Sequence, residues 1–167
     1  MTIQIGEKLP DATLYEFIHK ESEGCSLGPN AFKVADLVAN KKIAILALPG
    51  AYTPTCSAKH LPGFVQHAAE FKAKGVAEIW CISVNDAFVM GAWGQSQGAD
   101  GVVRMMADGS AEFTQKIGME LDLTARGLGL RSQRYSMLVE NGVVKQINLD
   151  PAGAFENSTA EKLLSQL

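Results

Sequence analysis

Cys56 is the residue of this sequence best placed for nucleophilic chemistry. It ends the segment Pro49-Gly-Ala-Tyr-Thr-Pro-Thr-Cys56, which follows an apolar run and opens a predicted helix. Only the thiolate is a nucleophile, and the unpaired N–H groups and positive dipole end of a helix N-terminus favour that form. Polar and rigid neighbours surround it: Thr53, Thr55, Ser57, Pro49 and Pro54. The segment predicts a reactive thiol, with a small packed cysteine as the alternative.

The other two cysteines, Cys25 and Cys81, lie 31 residues before and 25 residues after Cys56. This spacing contains neither a CxxC redox pair nor a zinc ribbon, which disfavours a thiol–disulfide oxidoreductase and a metal-binding module. Cys81 stands between Trp80 and Ile82 in an apolar stretch, which predicts a buried thiol. Cys25 lies in a glycine-containing, loop-like stretch and is expected to be accessible.

Length and composition limit the class of protein. The 167 residues are 47% hydrophobic and 20% charged, which predicts a single domain over 1–167 that can bury its own core. Fifteen Lys and Arg against eighteen Asp and Glu, without a basic run, argue against a nucleic-acid partner. The longest apolar run, 43–48, is far too short to cross a membrane, and the N-terminus resembles no targeting segment. We therefore expect a cytoplasmic protein.

Strands and helices are expected to alternate around the cysteine. The pattern predicts strands at 12–18, 43–48, 77–84 and 102–107. It predicts helices at 33–40, 56–71 and 111–117, and a further helix that begins after Asn85 as its N-cap. Pro62 is expected to kink or break the second of these helices. This order favours an α/β fold with a parallel, right-handed layered sheet.

The last third of the chain predicts an antiparallel hairpin followed by a helix. Asn141-Gly142 separates two apolar-rich stretches, 134–140 and 143–149, and both residues favour the positive φ angles of a tight hairpin turn. The terminal helix at 158–167 has Ser158 or Thr159 as its expected cap.

Four segments together resemble one known family. They are Pro49 to Phe64, Cys81 to Phe88, Trp93-Gly94 and Arg134 to Met137. The first resembles the peroxidatic motif of peroxiredoxins, specifically the type-five subfamily that includes the plant type II enzymes. The resemblance implies a thioredoxin-like fold, a central mixed sheet flanked by helices, with an N-terminal extension and a C-terminal β-hairpin plus helix.

The resemblance also assigns roles to individual residues. Cys56 would be the peroxidatic nucleophile, Thr53 would hydrogen-bond the thiolate and the peroxide, and Pro49 would shield the pocket. Arg134 would stabilise the thiolate and bind the peroxide. Three further residues are candidates on the substrate side, Gly50, Thr55 and Arg131, with the N–H groups of Thr55 and Cys56 as implied peroxide contacts. The family assigns His60 a structural part, and no metal or other cofactor is implied.

The function that follows is that of a thiol-dependent peroxidase for hydrogen peroxide and alkyl hydroperoxides. Cys56 would become a sulfenic acid. Some relatives carry a resolving cysteine near the C-terminus, but residues 150–167 contain none, and Cys81 and Cys25 stay open as weak candidates. We expect a one-cysteine cycle, restored by glutathione with glutaredoxin or by thioredoxin, in a homodimer that serves antioxidant defence and redox homeostasis. The alternative is a peroxide sensor that passes its oxidation to a partner protein.

Overall fold

The computed structural model describes residues 1–21 and 24–167. Nine strands are named in chain order: β1 (Thr13–Ile18), β2 (Gly28–Lys33), β3 (Lys42–Ala47), β4 (Glu78–Ser83), β5 (Arg104–Ala107), β6 (Glu120–Leu123), β7 (Gly129–Ser132), β8 (Tyr135–Glu140) and β9 (Val143–Leu149). Six α-helices accompany them: α1 (Val34–Val38), α2 (Leu61–Gln66), α3 (Ala68–Ala73), α4 (Ala87–Ser96), α5 (Glu112–Lys116) and α6 (Ala160–Ser165). A π-helical turn covers Cys56–His60, and a 3-10 turn covers Thr124–Arg126.

Seven strands form one mixed sheet in the order β2-β1-β5-β4-β3-β8-β9. The parallel part is β5-β4-β3, and the remaining pairs are antiparallel. The expected mixed sheet with flanking helices is therefore confirmed. The parallel arrangement predicted from the strand–helix order is confirmed for β3, β4 and β5. The unpredicted β2 pairs with β1, and β1 runs antiparallel to β5.

An apolar layer covers each face of this sheet. In β3, Leu46 faces one layer and Ile45 faces the other, as the two-residue period of a strand requires. The same alternation in β4 turns Cys81 toward the layer that contains Cys56, and turns Trp80 to the opposite one. Both thiols therefore lie on one side of the sheet.

The helix predicted over 56–71 is divided differently from our expectation. The wide π-helical turn closes with the Leu61 N–H donating to Cys56 O, and α2 begins there. Pro62 falls in the first turn of α2, where a missing N–H costs nothing, so it does not break the helix. The helix is interrupted instead at His67, whose φ and ψ angles of −97° and 10° separate α2 from α3. The helix predicted over 33–40 is also shorter, because Lys33 belongs to β2.

Capping and turn predictions had mixed outcomes. Asn141 and Gly142 have φ angles of 48° and 79°, which confirms the tight hairpin turn. Thr159 caps α6 by accepting the Lys162 N–H. Asn85 was the wrong cap for α4, since Asp86 accepts the Val89 N–H in that position.

Within the described residues, no helix has the length and apolar character needed to span a bilayer.

Candidate active site

Cys56 lies where the catalytic loop, residues 48–55, enters the π-helical turn. This loop follows β3, and the Cys56 side chain is fully buried beneath it. Arg134 Nη2 donates a hydrogen bond to Cys56 Sγ at 3.1 Å. A guanidinium in this position stabilises negative charge on sulfur, because a charged donor in a buried site interacts strongly with an anion.

Strand pairing brings Arg134 to the cysteine across 78 residues of sequence. β8 runs antiparallel to β3, and Ala47 at the end of β3 pairs with Tyr135 at the start of β8. Arg134 immediately precedes that pair and therefore meets the catalytic loop. Its guanidinium also lies over the Phe155 ring, 5.7 Å from the ring centroid.

His60 holds the other side of the Arg134 guanidinium. Burial, followed by the nearby Arg134 charge, lowers the pKa of His60 from 6.5 to about 3, so its ring is neutral at physiological pH. Nε2 then donates to Ser158 O at 3.0 Å, and Nδ1 accepts from Arg134 Nη1 at 2.9 Å, a tautomer assigned from these partners. Both nitrogens are committed to protein partners, so His60 positions Arg134 and is not poised to transfer protons.

Thr53 makes a different hydrogen bond from the one expected. Its Oγ1 donates to Gly50 O at 2.7 Å, and no bond to Cys56 Sγ is present among the described residues. The hydroxyl has one proton, and the turn of the catalytic loop directs it to the Gly50 carbonyl. The Oγ1 lone pairs are then left to accept a hydrogen bond from an incoming molecule.

The catalytic loop is held from the end of β4. Asn85 Oδ1 accepts the Ala51 N–H at 3.0 Å and the Ser83 hydroxyl at 2.6 Å. The next residue, Tyr52, has a φ angle of +63°, which is uncommon for a large side chain and persists only where the surroundings impose it. The loop is therefore a fixed structure.

A cavity of about 110 Å³ opens over this arrangement. Three predicted site residues line it: Pro49, Thr55 and Arg134. The opposite wall comes from later parts of the chain, namely Leu121, Gln133 and residues 150–154. A small polar molecule in this cavity would therefore lie against Arg134 and Pro49.

Arg131 and Gly50 occupy places that differ from the substrate-binding role predicted for them. Arg131 Nη1 donates to Pro49 O at 3.3 Å, and its Nε donates to Leu128 O at 2.9 Å. Neither residue is among those that line the cavity. The β6–β7 hairpin carries Arg131 to the outer side of the catalytic loop, where it supports the loop backbone.

The two remaining cysteines lie in different surroundings. Cys81 is fully buried in β4, between Leu46 of β3 and Met105 of β5 in the ladder. Burial, and then the neighbouring Cys56, raise its pKa well above the ordinary value, although Arg134 acts in the opposite direction. Cys25 is half-buried and lies just before β2. β3, which leads into the loop before Cys56, lies four strand spacings, roughly 19 Å, from β2 in the sheet.

Sequence reasoning missed four residues that shape the site: Asn85, Asp150, Phe155 and Ser158. Asn85 had a signal, since a polar residue directly after a buried strand can bond a neighbouring loop, but helix capping was the simpler interpretation. The other three come from the segment after β9. Its return to the site depends on the packing of α6, and no local pattern reports that.

No three His, Cys, Asp or Glu side chains within residues 1–21 and 24–167 form a group that could hold a metal ion. The groups that the site offers for chemistry are a buried thiol, a guanidinium and the amides of a helix start.

Comparison with known proteins gives the same result over the whole chain. A family model described as Redoxin matches residues 4–164. "Peroxiredoxin-2E-2, chloroplastic" of Oryza sativa subsp. japonica is 50% identical over 169 residues, which cover 99% of this chain and 73% of that protein. The structure of reduced Prx3 in complex with H2O2 from Vibrio vulnificus is 46% identical, covers 99% of each chain and has a TM-score of 0.90.

One further structure carries a different description. A putative thioredoxin reductase from Burkholderia cenocepacia is 56% identical, with a TM-score of 0.99, and covers 100% of this chain and 99% of that one. The present sequence has no CxxC pair for dithiol–disulfide exchange, and its single cysteine beside Arg134 matches the peroxidatic arrangement. The chain belongs to the redoxin family and, within it, to the peroxiredoxins related to the plant type II enzymes, which makes it a thiol-dependent peroxidase.

Proposed function

We propose that the protein reduces hydrogen peroxide and alkyl hydroperoxides in a one-cysteine cycle, with glutathione and glutaredoxin or thioredoxin restoring Cys56. The observation that carries this proposal is the contrast between two buried thiols. Cys56 has a charged donor 3.1 Å from its sulfur, and that donor, Arg134, lines a cavity, whereas Cys81 is fixed inside the central sheet. Antioxidant defence and redox homeostasis are the corresponding cellular roles.

The first half of the cycle oxidises sulfur and reduces the peroxide. The Cys56 thiolate attacks one peroxide oxygen, the O–O bond breaks, and the departing RO⁻ takes a proton and leaves as water or an alcohol. Cys56 becomes a sulfenic acid, Cys–SOH. Arg134 donates hydrogen bonds to sulfur and to the reacting oxygens, and Thr53 Oγ1 accepts a hydrogen bond from the peroxide O–H group. The first-turn N–H groups of Thr55 and Cys56 add donors where charge develops.

The second half of the cycle reduces sulfur with an external thiol. A thiolate attacks the sulfenic sulfur, hydroxide leaves and takes a proton to become water, and a mixed disulfide forms on Cys56. A second thiol then releases Cys56. An internal partner is disfavoured because a disulfide requires Cα atoms within about 7 Å. Cys25 is separated by several strands, and Cys81 could leave β4 only if the ladder on both sides of it opened.

The test measures peroxide consumption by the unchanged protein and by Cys56→Ser, Cys25→Ser and Cys81→Ala, with each reductant system separately. We expect loss of turnover in Cys56→Ser alone and a preference for one reductant. Mass spectrometry after one equivalent of peroxide should show sulfenic acid, trapped with dimedone, on Cys56. An intramolecular disulfide in most molecules would overturn the one-cysteine cycle. A rate with peroxide close to that of free cysteine would favour the sensor role.

We also propose a homodimer and a cytoplasmic location. Tyr52 in the catalytic loop and Phe88 in α4 are 57% and 65% exposed, and large exposed apolar side chains suit a subunit contact. Sedimentation of the unchanged protein and of Phe88→Asp tests this, with a monomer in both as the contradicting result. Three free cysteines suit a reducing compartment. Cell fractionation tests the location, and recovery in an organelle would contradict it.

A further inference from the structure

We propose that Asp150 is a positioning residue for the peroxidase reaction, because it holds Arg134 against Cys56 at both the backbone and the guanidinium. Asp150 directly follows β9 and begins the Asp150 turn, residues 150–158, which leads into α6. It has no hydrogen bond to Cys56 itself within the described chain, and it acts through Arg134.

The first connection is made by the main chain. In the β8–β9 ladder Tyr135 pairs with Leu149, and the Asp150 N–H donates to Arg134 O at 2.9 Å just beyond that pair. This bond extends the hairpin by one step past the regular strands. It fixes the backbone from which the Arg134 side chain projects toward the cysteine.

The second connection runs through the side chains. The Asp150 carboxylate accepts the N–H groups of Glu156, Asn157 and Ser158 and the Ser158 hydroxyl. These four bonds close the Asp150 turn and fix the Ser158 carbonyl. That carbonyl accepts from His60 Nε2, and His60 Nδ1 accepts from Arg134 Nη1. Arg134 Nη2 in turn donates to Cys56 Sγ, which completes the connection from Asp150 to the sulfur.

The charge of Asp150 suits this role. The residue is only 2% exposed, and burial of its carboxyl would by itself raise the pKa. The hydrogen bonds from the Ser158 hydroxyl and the three amides outweigh burial and leave the pKa below its ordinary value. A carboxylate that accepts four bonds at once organises a turn in a way that a neutral side chain cannot reproduce.

In a simpler alternative, Asp150 would affect the reaction without acting through Arg134. Asp150 itself and the turn residues 151–154 line the cavity, so Asp150 could act only by shaping that wall. The two roles differ in their dependence on substrate size. A wall affects bulky peroxides, whereas the position of Arg134 affects every peroxide and the thiolate itself.

The experiment compares Asp150→Asn with Asp122→Asn. Asp122 makes the same kind of local turn, accepting the Thr124 N–H and hydroxyl, but it is on the exposed β6–β7 hairpin and serves as the matched control. Stopped-flow rate constants are measured with hydrogen peroxide and with cumene hydroperoxide. The pH profile of iodoacetamide alkylation of Cys56 is recorded in parallel, and circular dichroism confirms folding.

We expect Asp150→Asn to lower both rate constants by a similar factor, about tenfold to hundredfold, because small misplacements of catalytic groups have effects of that size. The alkylation profile should move to higher pH, and Asp122→Asn should match the unchanged protein in both assays. A loss confined to cumene hydroperoxide, or a lower melting temperature with unchanged rates and profile, would overturn the proposal.

Ser158→Ala keeps the inference testable if Asp150→Asn does not fold. This variant removes one of the four bonds and retains the Ser158 carbonyl that faces His60. It should shift the rate constants and the alkylation profile in the same direction as Asp150→Asn, by about threefold or more, the size expected for the loss of a single intramolecular hydrogen bond. Unchanged values for both readouts would contradict the role of Asp150.

Discussion

Asn85 Oδ1 accepts the Ala51 N–H at 3.0 Å, so one side chain from the end of β4 fixes the middle of the catalytic loop. The same oxygen accepts the hydroxyl of Ser83, whose side chain is fully buried. Removal of this acceptor leaves a buried hydroxyl unpaired and the loop free to relax around Tyr52.

Asn85→Ala should therefore lower both stability and activity. We expect the free energy of unfolding to fall by about 1–3 kcal/mol, the usual penalty for an unpaired buried group. The rate constant with hydrogen peroxide should fall by about tenfold as the loop loses its fixed geometry. Urea denaturation and stopped-flow kinetics measure the two effects. Asn30→Ala is the control, because the Asn30 amide bonds local carbonyls near β2. Equal activity in the two variants would show that Asn85 does not hold the loop for catalysis.

Gly50→Ala should act through Arg131. A Cβ atom at Gly50 would lie 2.6 Å from Arg131 Nη1 and 3.3 Å from the Thr53 methyl group. The flexible guanidinium can move away, but it would then lose its bond to Pro49 O. We expect Gly50→Ala and Arg131→Ala each to lower the peroxide rate constant by a few fold, and the double variant to resemble Arg131→Ala. Additive effects in this double-mutant cycle would contradict the shared mechanism.

Neutral His60 makes stability depend on pH. Its pKa is about 3 in the folded chain and about 6.5 when unfolded, so the unfolded state binds more protons between these values. The free energy of unfolding should fall as pH drops from about 6.5, with His60 contributing up to about 1.4 kcal/mol per pH unit. Urea titrations between pH 7 and pH 4.5 measure this slope. His60→Gln should have a smaller slope over that range, whereas identical slopes would show that His60 is protonated in the folded protein.

The sequence predicted the site where local pattern and chemistry agree. An apolar run, a proline-stiffened loop and a cysteine at a helix start placed Cys56 correctly, and Asn141-Gly142 placed the hairpin that delivers Arg134. The buried position of Cys81 followed from its apolar neighbours. Each of these inferences depends on residues close together in the chain.

The inferences that failed depend on contacts between distant segments. β2 is short and contains Gly28 and Pro29, residues with weak strand propensity. It forms a strand nevertheless because it pairs with β1. The Thr53 hydroxyl donates to the Gly50 carbonyl, a contact that the sequence did not predict. The Ser158 carbonyl meets His60 across 98 residues of sequence, and Arg131 of the β6–β7 hairpin meets Pro49 across 82. No local sequence pattern predicts contacts of this kind.

Cys81 should be the least reactive thiol of the folded protein. Burial and the proximity of Cys56 raise its pKa, so little thiolate exists at neutral pH, and alkylation also requires the central strands to open. In Cys56→Ser we expect iodoacetamide to modify half-buried Cys25 at least about a hundredfold faster than Cys81, a difference set by local opening. Peptide mass spectrometry over time measures both rates, and the difference should disappear in urea. Rapid modification of Cys81 in the folded chain would mean that β4 opens readily. The sheet would then no longer prevent Cys81 from reaching the Cys56 sulfenic acid.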